Sequence, residues 1–176
     1  MGACDDAENA WLEPTRALLR WAVSAGVPTL GVCLGHQLLG VALGGHVGRN
    51  PSGRTVGLVP VDLTVEGAGD PLLGGMDGAP AIHYNDDAVL DLPAGAVVLA
   101  LLPDGLPQAV RYGPAAWGVQ FHPETSPEVL RSWLLWDSPE GLASGQEALL
   151  RGVTAREEEL RATWEPFAQR FAAVVS

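Results

Sequence analysis

Residues 27–43 read VPTLGVCLGHQLLGVAL. The first part, Val27 to Val32, is a short apolar run that follows Gly26 and stops at a glycine-cysteine turn, which predicts a buried strand. The second part, Leu34 to Leu43, is apolar around most of its circumference and closes at Gly44-Gly45, which predicts an internal helix. Cys33 sits between the two, flanked by Gly31 and Gly35. A nucleophile on a tight strand-to-helix turn needs small neighbours, because the cramped backbone leaves little room for side chains two residues away. The helix that follows directs its N-terminal amides and positive dipole end at the sulfur, which favours a thiolate. The N–H of Leu34, immediately after the cysteine, is the natural donor to an oxyanion.

A free cysteine is also among the most buried residue types, and an inert packing role is the alternative for Cys33. A base decides between them. Of the four histidines, His122 stands at the end of an apolar run in Trp117-Gly-Val-Gln-Phe-His-Pro-Glu124. Pro123 biases His122 towards extended geometry, so the side chains of His122 and Glu124 project to the same side. Glu124 can then hold the imidazole in the tautomer that takes a proton from sulfur, which makes a Cys33-His122-Glu124 triad. His36, one turn into the helix, reads as a packing residue, His46 as a solvated loop residue and His83 as a structural one at a strand end. Neither an H-x-x-x-H nor a C-x-x-C pair is present, and Asp86-Asp87 reads as a common turn, so no metal site is expected.

Working outward, a helix is expected from about Pro14 to Ser24. Strands are expected at Val56–Val65, Ala79–Tyr84, Ala96–Leu102, Gln108–Tyr112 and Ala116–Phe121, separated by Gly, Pro and Asp turns. The helical period returns at Pro127–Trp136, in a glycine-interrupted segment to Arg151, and at Thr154–Val174, where Leu160, Trp164, Phe167, Phe171 and Val174 form one stripe around Pro166. This order predicts an α/β sheet flanked by helices, in one domain over residues 1–176. Of the 176 residues, 47% are hydrophobic and 18% charged, a globular balance. The formal charge is −11 and all ten basic residues are scattered arginines, a surface that repels a phosphate backbone, so no nucleic-acid partner is expected. No apolar run approaches membrane-spanning length and the N-terminus has no secretory pattern, so neither membrane association nor export is expected. Cys4 and Cys33 do not suggest a disulfide framework, and a cytoplasmic location follows as the default.

Gly31-Val-Cys33-Leu-Gly35-His-Gln37 together with Gln120-Phe-His122-Pro-Glu124 resembles the class I, triad-type glutamine amidotransferase domain found in GMP synthase and anthranilate synthase. The resemblance extends to Met1–Asp6, which is similar to that family's Gly-Gly-Pro-Met-Gly-Ala-x-Asp-Asp turn entered midway, and to Ile82–Pro93. Trp11-Leu-Glu-Pro and Arg49-Asn-Pro-Ser-Gly53 look most like the stand-alone GMP-synthase-like amidotransferases. It runs along nearly the whole chain, more loosely after Ser126. It implies a three-layer, flavodoxin-like open sheet and a cofactor-free reaction on L-glutamine. Cys33 would attack the side-chain amide, His122 would protonate the departing ammonia, and water would hydrolyse the γ-glutamyl thioester to glutamate. Gln37 matches the position that helps hold the substrate, and Tyr84 and Asn85 match the segment that meets its α-amino and carboxylate ends. The family often has histidine where Asn85 stands. A synthetase partner chain accepting the ammonia, or release of free ammonia, is implied.

In the family the domain opens with strands of the central sheet, and a glycine before the Met-Gly-Ala position supplies a second oxyanion donor. The sequence starts after that point, so the first N-terminal strands are expected to be lacking, with a translation start upstream of Met1 as the favoured explanation. Losing one oxyanion donor costs about two to three orders of magnitude in rate. Two alternatives to a glutaminase stay open: a γ-glutamyl hydrolase or peptidase with the same triad, and a degenerate regulatory or binding subunit.

Overall fold

A computed structural model of the chain describes residues 2–175; Met1, the first residue of the Met1–Asp6 turn, lies outside them. The segment around Cys33 folds as its pattern dictates. Helix α1 (Leu12–Ser24) leads to strand β1 (Thr29–Val32), which turns at Cys33 into helix α2 (Leu34–Ala42). Strands β2 (His46–Arg49), β3 (Thr55–Pro60) and β4 (Asp62–Leu63) follow, then a single helical turn α3 (Val65–Ala68), β5 (Pro80–Asn85) and β6 (Asp87–Asp91). The sheet is completed by β7 (Val97–Leu101), β8 (Pro107–Gly113) and β9 (Ala116–Val119), and the chain ends in α4 (Pro127–Asp137), α5 (Ser144–Ala155) and α6 (Glu157–Val175).

The main sheet is open and mixed, in the order β1-β9-β8-β7-β4. Only the β1/β9 pair is parallel; β9/β8 and β8/β7 are antiparallel through short hairpin connections, and β7/β4 is antiparallel although α3, β5 and β6 lie between them in the chain. Two antiparallel ribbons, β2/β6 and β3/β5, stand beside it. The α/β open sheet with flanking helices is therefore the fold that the chain adopts. The strands alternate as period two demands. On one face Val110, Tyr112 and Ala116 pack with Leu39 of α2 and Leu19 and Val23 of α1. On the other face Ala109, Trp117 and Val119 enter a larger core with Leu130 and Leu134 of α4, Val153 of α5, and Leu160, Trp164 and Phe167 of α6. The layers are helix, sheet, helix.

Local chemistry fixes several boundaries. Ser126 caps α4 through its Oγ, which accepts from Val129 N–H, and Pro127 occupies the first turn, where its missing N–H costs nothing. Thr64 caps α3 in the same way, accepting from Gly67 N–H at 3.0 Å. Pro166 lies inside α6, which nevertheless runs from Glu157 to Val175. The run Val56–Val65 divides into β3, β4 and the start of α3, because Val61 sits between two strands that pair with different partners. Two strands have no legible alternation: β2, where His46 was expected in a loop, and β6, which begins at the Asp86-Asp87 turn. They form by pairing with each other, Arg49 opposite Asp87 and Val47 opposite Val89.

Candidate active site

Cys33 is the only non-glycine residue among those described with positive φ, at φ 49° and ψ −104°. Such a conformation is costly for an L-residue and persists only where surrounding structure imposes it. Here β1 on one side and α2 on the other impose it: Cys33 N–H donates to Val119 C=O at 2.8 Å, and Cys33 C=O accepts from Gln37 N–H at 3.1 Å. Gly31 makes the turn possible, since a Cβ there would lie 2.5 Å from the carbonyl of Gly35. The expectation that Gly35 also serves by making room is corrected, because a Cβ at Gly35 would meet nothing within 4 Å. As the first residue of α2, Leu34 has an N–H without an intrahelical partner, next to the sulfur.

The parallel pairing of β1 with β9 sets Gly31 beside Gly118 and Val32 beside Val119. Continuing past both strands, this register carries Gln120 and His122 to Cys33. Gln120 Nε2 donates to Cys33 Sγ at 3.6 Å. His122 faces Cys33 as well, the two lining one hollow. Its Nδ1 is 2.8 Å from Glu124 Oε1, which leaves Nε2 for the sulfur. Burial draws the His122 pKa down, but its interactions with Cys33 and Glu124 outweigh it and hold the pKa up at about 9. Glu124 is likewise held below the usual carboxylate range: burial works most strongly against its ionised form, and the hydrogen bond and charge of His122, a backbone hydrogen bond and the Thr125 hydroxyl together outweigh burial. Of the three residues read from the sequence, His122 and Glu124 are in direct contact and Cys33 lines one hollow with His122, with Glu124 half-exposed and further bonded by Thr125 Oγ1 at 3.4 Å.

Beside Cys33 lies a polar cavity of about 330 Å³ that Leu34, Gln37, Tyr84 and Asn85 help to line. The amide nitrogen of Gln37 donates to Asp87 C=O at 2.9 Å and to Gln120 Oε1 at 3.2 Å. Asn85 Nδ2 donates to Asp87 C=O at 3.0 Å, and its Oδ1 lies 3.4 Å from His83 Nδ1. The Tyr84 hydroxyl is engaged by Trp133 C=O at 3.0 Å and by Asp137 Oδ2, and burial with that carboxylate pushes its pKa up to about 12. All three side chains therefore shape the wall while these polar atoms hold neighbouring protein groups.

The cavity's charged side chains were not singled out in the sequence. Arg49, from β2, reaches it together with Asp5, Asp86 and Asp87, and Arg49 is only loosely paired, at 3.5 Å, with each of the last two. Gln120 was missed too, although it stands two residues before His122 and so on the same face of an extended segment. Cys4 lines this cavity as well, and both cysteines are free. His36 and His83 are buried. His36 Nδ1 lies 3.1 Å from the Tyr112 hydroxyl, and a Cβ at Gly118 would come 2.3 Å from the same nitrogen, which is why β9 carries glycine there. His46 is exposed, with Nδ1 3.4 Å from Asp91 Oδ2.

Residues 2–137 match the family model described as "Glutamine amidotransferase class-I". The chain is 40% identical over 116 residues to an anthranilate synthase component 2 of Archaeoglobus fulgidus, covering 64% of this chain and 60% of that one. It is 40% identical over 117 residues to a glutamine-hydrolysing GMP synthase of Aeropyrum pernix, covering 62% of this chain and 22% of that one. The matched region thus spans less than two thirds of the length of these curated relatives. A crystal structure of a glutamine amidotransferase from Thermotoga maritima superposes with a TM-score of 0.85 at 25% identity, over 100% of this chain and 75% of that one.

Proposed function

This chain belongs to the class-I glutamine amidotransferase family, and we propose that it hydrolyses the side-chain amide of L-glutamine with Cys33, His122 and Glu124. The observation that carries this reading is His122 itself, which lines one hollow with Cys33 and has its Nδ1 2.8 Å from Glu124 Oε1, with a pKa held at about 9. Near neutral pH that imidazolium stands ready beside Cys33 as the acid. The thiolate attacks the amide carbon and the developing oxyanion receives the Leu34 N–H. The C–N bond then breaks as His122 gives its proton to the departing nitrogen, releasing ammonia. Water, deprotonated by His122, attacks the thioester; glutamate leaves and Cys33 is restored.

The 330 Å³ cavity suits the amino-acid end of glutamine. Arg49 supplies a cation for the α-carboxylate, and Asp86 and Asp87 supply anions for the α-amino group. Gln37, Tyr84 and Asn85 fix the shape of that wall. The relatives named for synthetases support passing the ammonia to a synthetase partner chain. The helices beyond residue 137 share one core with the sheet, which favours one domain over the chain.

The test is release of glutamate from L-glutamine by the purified chain and by Cys33→Ser. A glutamine-mimicking diazoketone should add once, at Cys33, by mass spectrometry. Equal glutamate release from the two proteins, or labelling elsewhere than Cys33, overturns the assignment.

A further inference from the structure

Two hollows meet at Cys33. The polar one, described above, is lined by Leu34, Gln37 and the charged residues. The other, of about 230 Å³, is lined by Cys33, Tyr84, His122, Trp133, Trp136 and Asp137. His122 belongs to the second and not to the first. Resting on the glutaminase reading, the acid must face the nitrogen that leaves, so the second hollow lies on the leaving-group side.

Its walls are aromatic. The Trp133 ring is 4.6 Å from the His122 ring and 5.4 Å from the Tyr84 ring, and Trp136, one turn along α4, is 87% exposed. Its one carboxylate is already neutralised, since Asp137 Oδ2 accepts from Arg54 Nη2 at 2.6 Å and from the Tyr84 hydroxyl. Ammonia is no larger than a water molecule; it leaves most of this space unfilled and gains nothing from indole faces. We propose that the hollow between His122, Trp133 and Trp136 binds the substituent of a secondary γ-glutamyl amide, so that the chain also cleaves γ-glutamyl conjugates of alkylamines that carry an uncharged aromatic ring. The chemistry balances as for glutamine. The Sγ–C bond forms, the C–N bond breaks, His122 delivers its proton to nitrogen so that a neutral primary amine departs, and water then yields glutamate and free thiol. A flat aromatic substituent stacks against Trp136 and Trp133, where an offset or edge-on arrangement is favourable.

The experiment compares kcat/KM for γ-glutamylbenzylamide, γ-glutamylmethylamide and L-glutamine, each read as glutamate released. Both amides expel a simple alkylamine, so their ratio reports the aromatic contact. Preference for the benzylamide over the methylamide by about tenfold or more is expected, the scale on which an apolar pocket discriminates. Trp136→Ala should bring the ratio close to one, and Trp136→Phe, which keeps a ring, should retain most of it. A wild-type ratio of one or less, or a ratio untouched in Trp136→Ala, overturns the proposal even if glutamine is hydrolysed. No turnover of any of the three substrates overturns the glutaminase reading and this one with it.

Discussion

The amide nitrogen of Gln120 donates a hydrogen bond to Cys33 Sγ across 3.6 Å. The donor is itself fixed, because Gln120 Oε1 accepts from Gln37 Nε2 at 3.2 Å and that nitrogen also donates to Asp87 C=O. A donor aimed at sulfur favours the thiolate over the thiol.

Gln120→Leu should therefore slow the reaction of Cys33 with iodoacetamide at neutral pH. A hydrogen bond to a charged group contributes about 1.5–3 kcal/mol, so a loss of roughly tenfold to a hundredfold in kcat/KM is expected. The pH dependence of alkylation checks it. An unchanged alkylation profile would show that the bond does not act on the sulfur.

Glu124→Gln removes the carboxylate that helps hold His122 at about 9. If the protonated imidazole is the acid, kcat/KM should fall on the alkaline side near pH 9 in the parent protein, and this limb should move to lower pH in the variant. For stability the sign is the same: a histidine raised above its ordinary 6.5 contributes fully below pH 6.5, and the contribution disappears as pH rises through about 9. Histidine NMR titration reads the shift directly.

Gly31→Ala and Gly35→Ala should separate. The new methyl at residue 31 meets backbone atoms of Gly35 at 2.5 Å, which neither can yield, so destabilisation of about 1–3 kcal/mol is expected from overpacking. At residue 35 the methyl meets nothing and sits in the first turn of α2, so stability should change little. Thermal unfolding of the two variants decides; a lower Tm for Gly35→Ala than for Gly31→Ala would contradict the geometry.

Burial lowers the pKa of His36 to about 3, and burial lowers that of His83 to about 4 even though Asn85 opposes it. Both are depressed relative to 6.5, so the stability that they confer is present above pH 6.5 and is lost as pH falls towards those values. Urea midpoints should drop between pH 6.5 and 4. His36→Gln, which keeps a partner for the Tyr112 hydroxyl, should flatten that drop. An equal slope in both proteins would show that His36 does not set the acid limit.

The sequence alone determined the strand-turn-helix around Cys33, because an apolar run, a glycine-flanked cysteine and a helix with apolar residues on most sides are local patterns. It also placed Glu124 within reach of His122, two residues away, although the structure joins them through a turn at Pro123-Glu124 and not through extended chain. Only the tertiary structure decided what stands opposite the thiol. The parallel register of β1 on β9, Gly31 with Gly118, joins residues that are 87 positions apart in sequence (31 and 118) and aims Gln120 at the sulfur. Long-range pairing is set by how whole faces bury and leaves no trace in local periodicity. The same holds for β2 and β6, which exist as strands through each other and carry Arg49 to the cavity, and for α4, whose docking turns Trp133 and Trp136 towards the hollow beside Cys33 and His122.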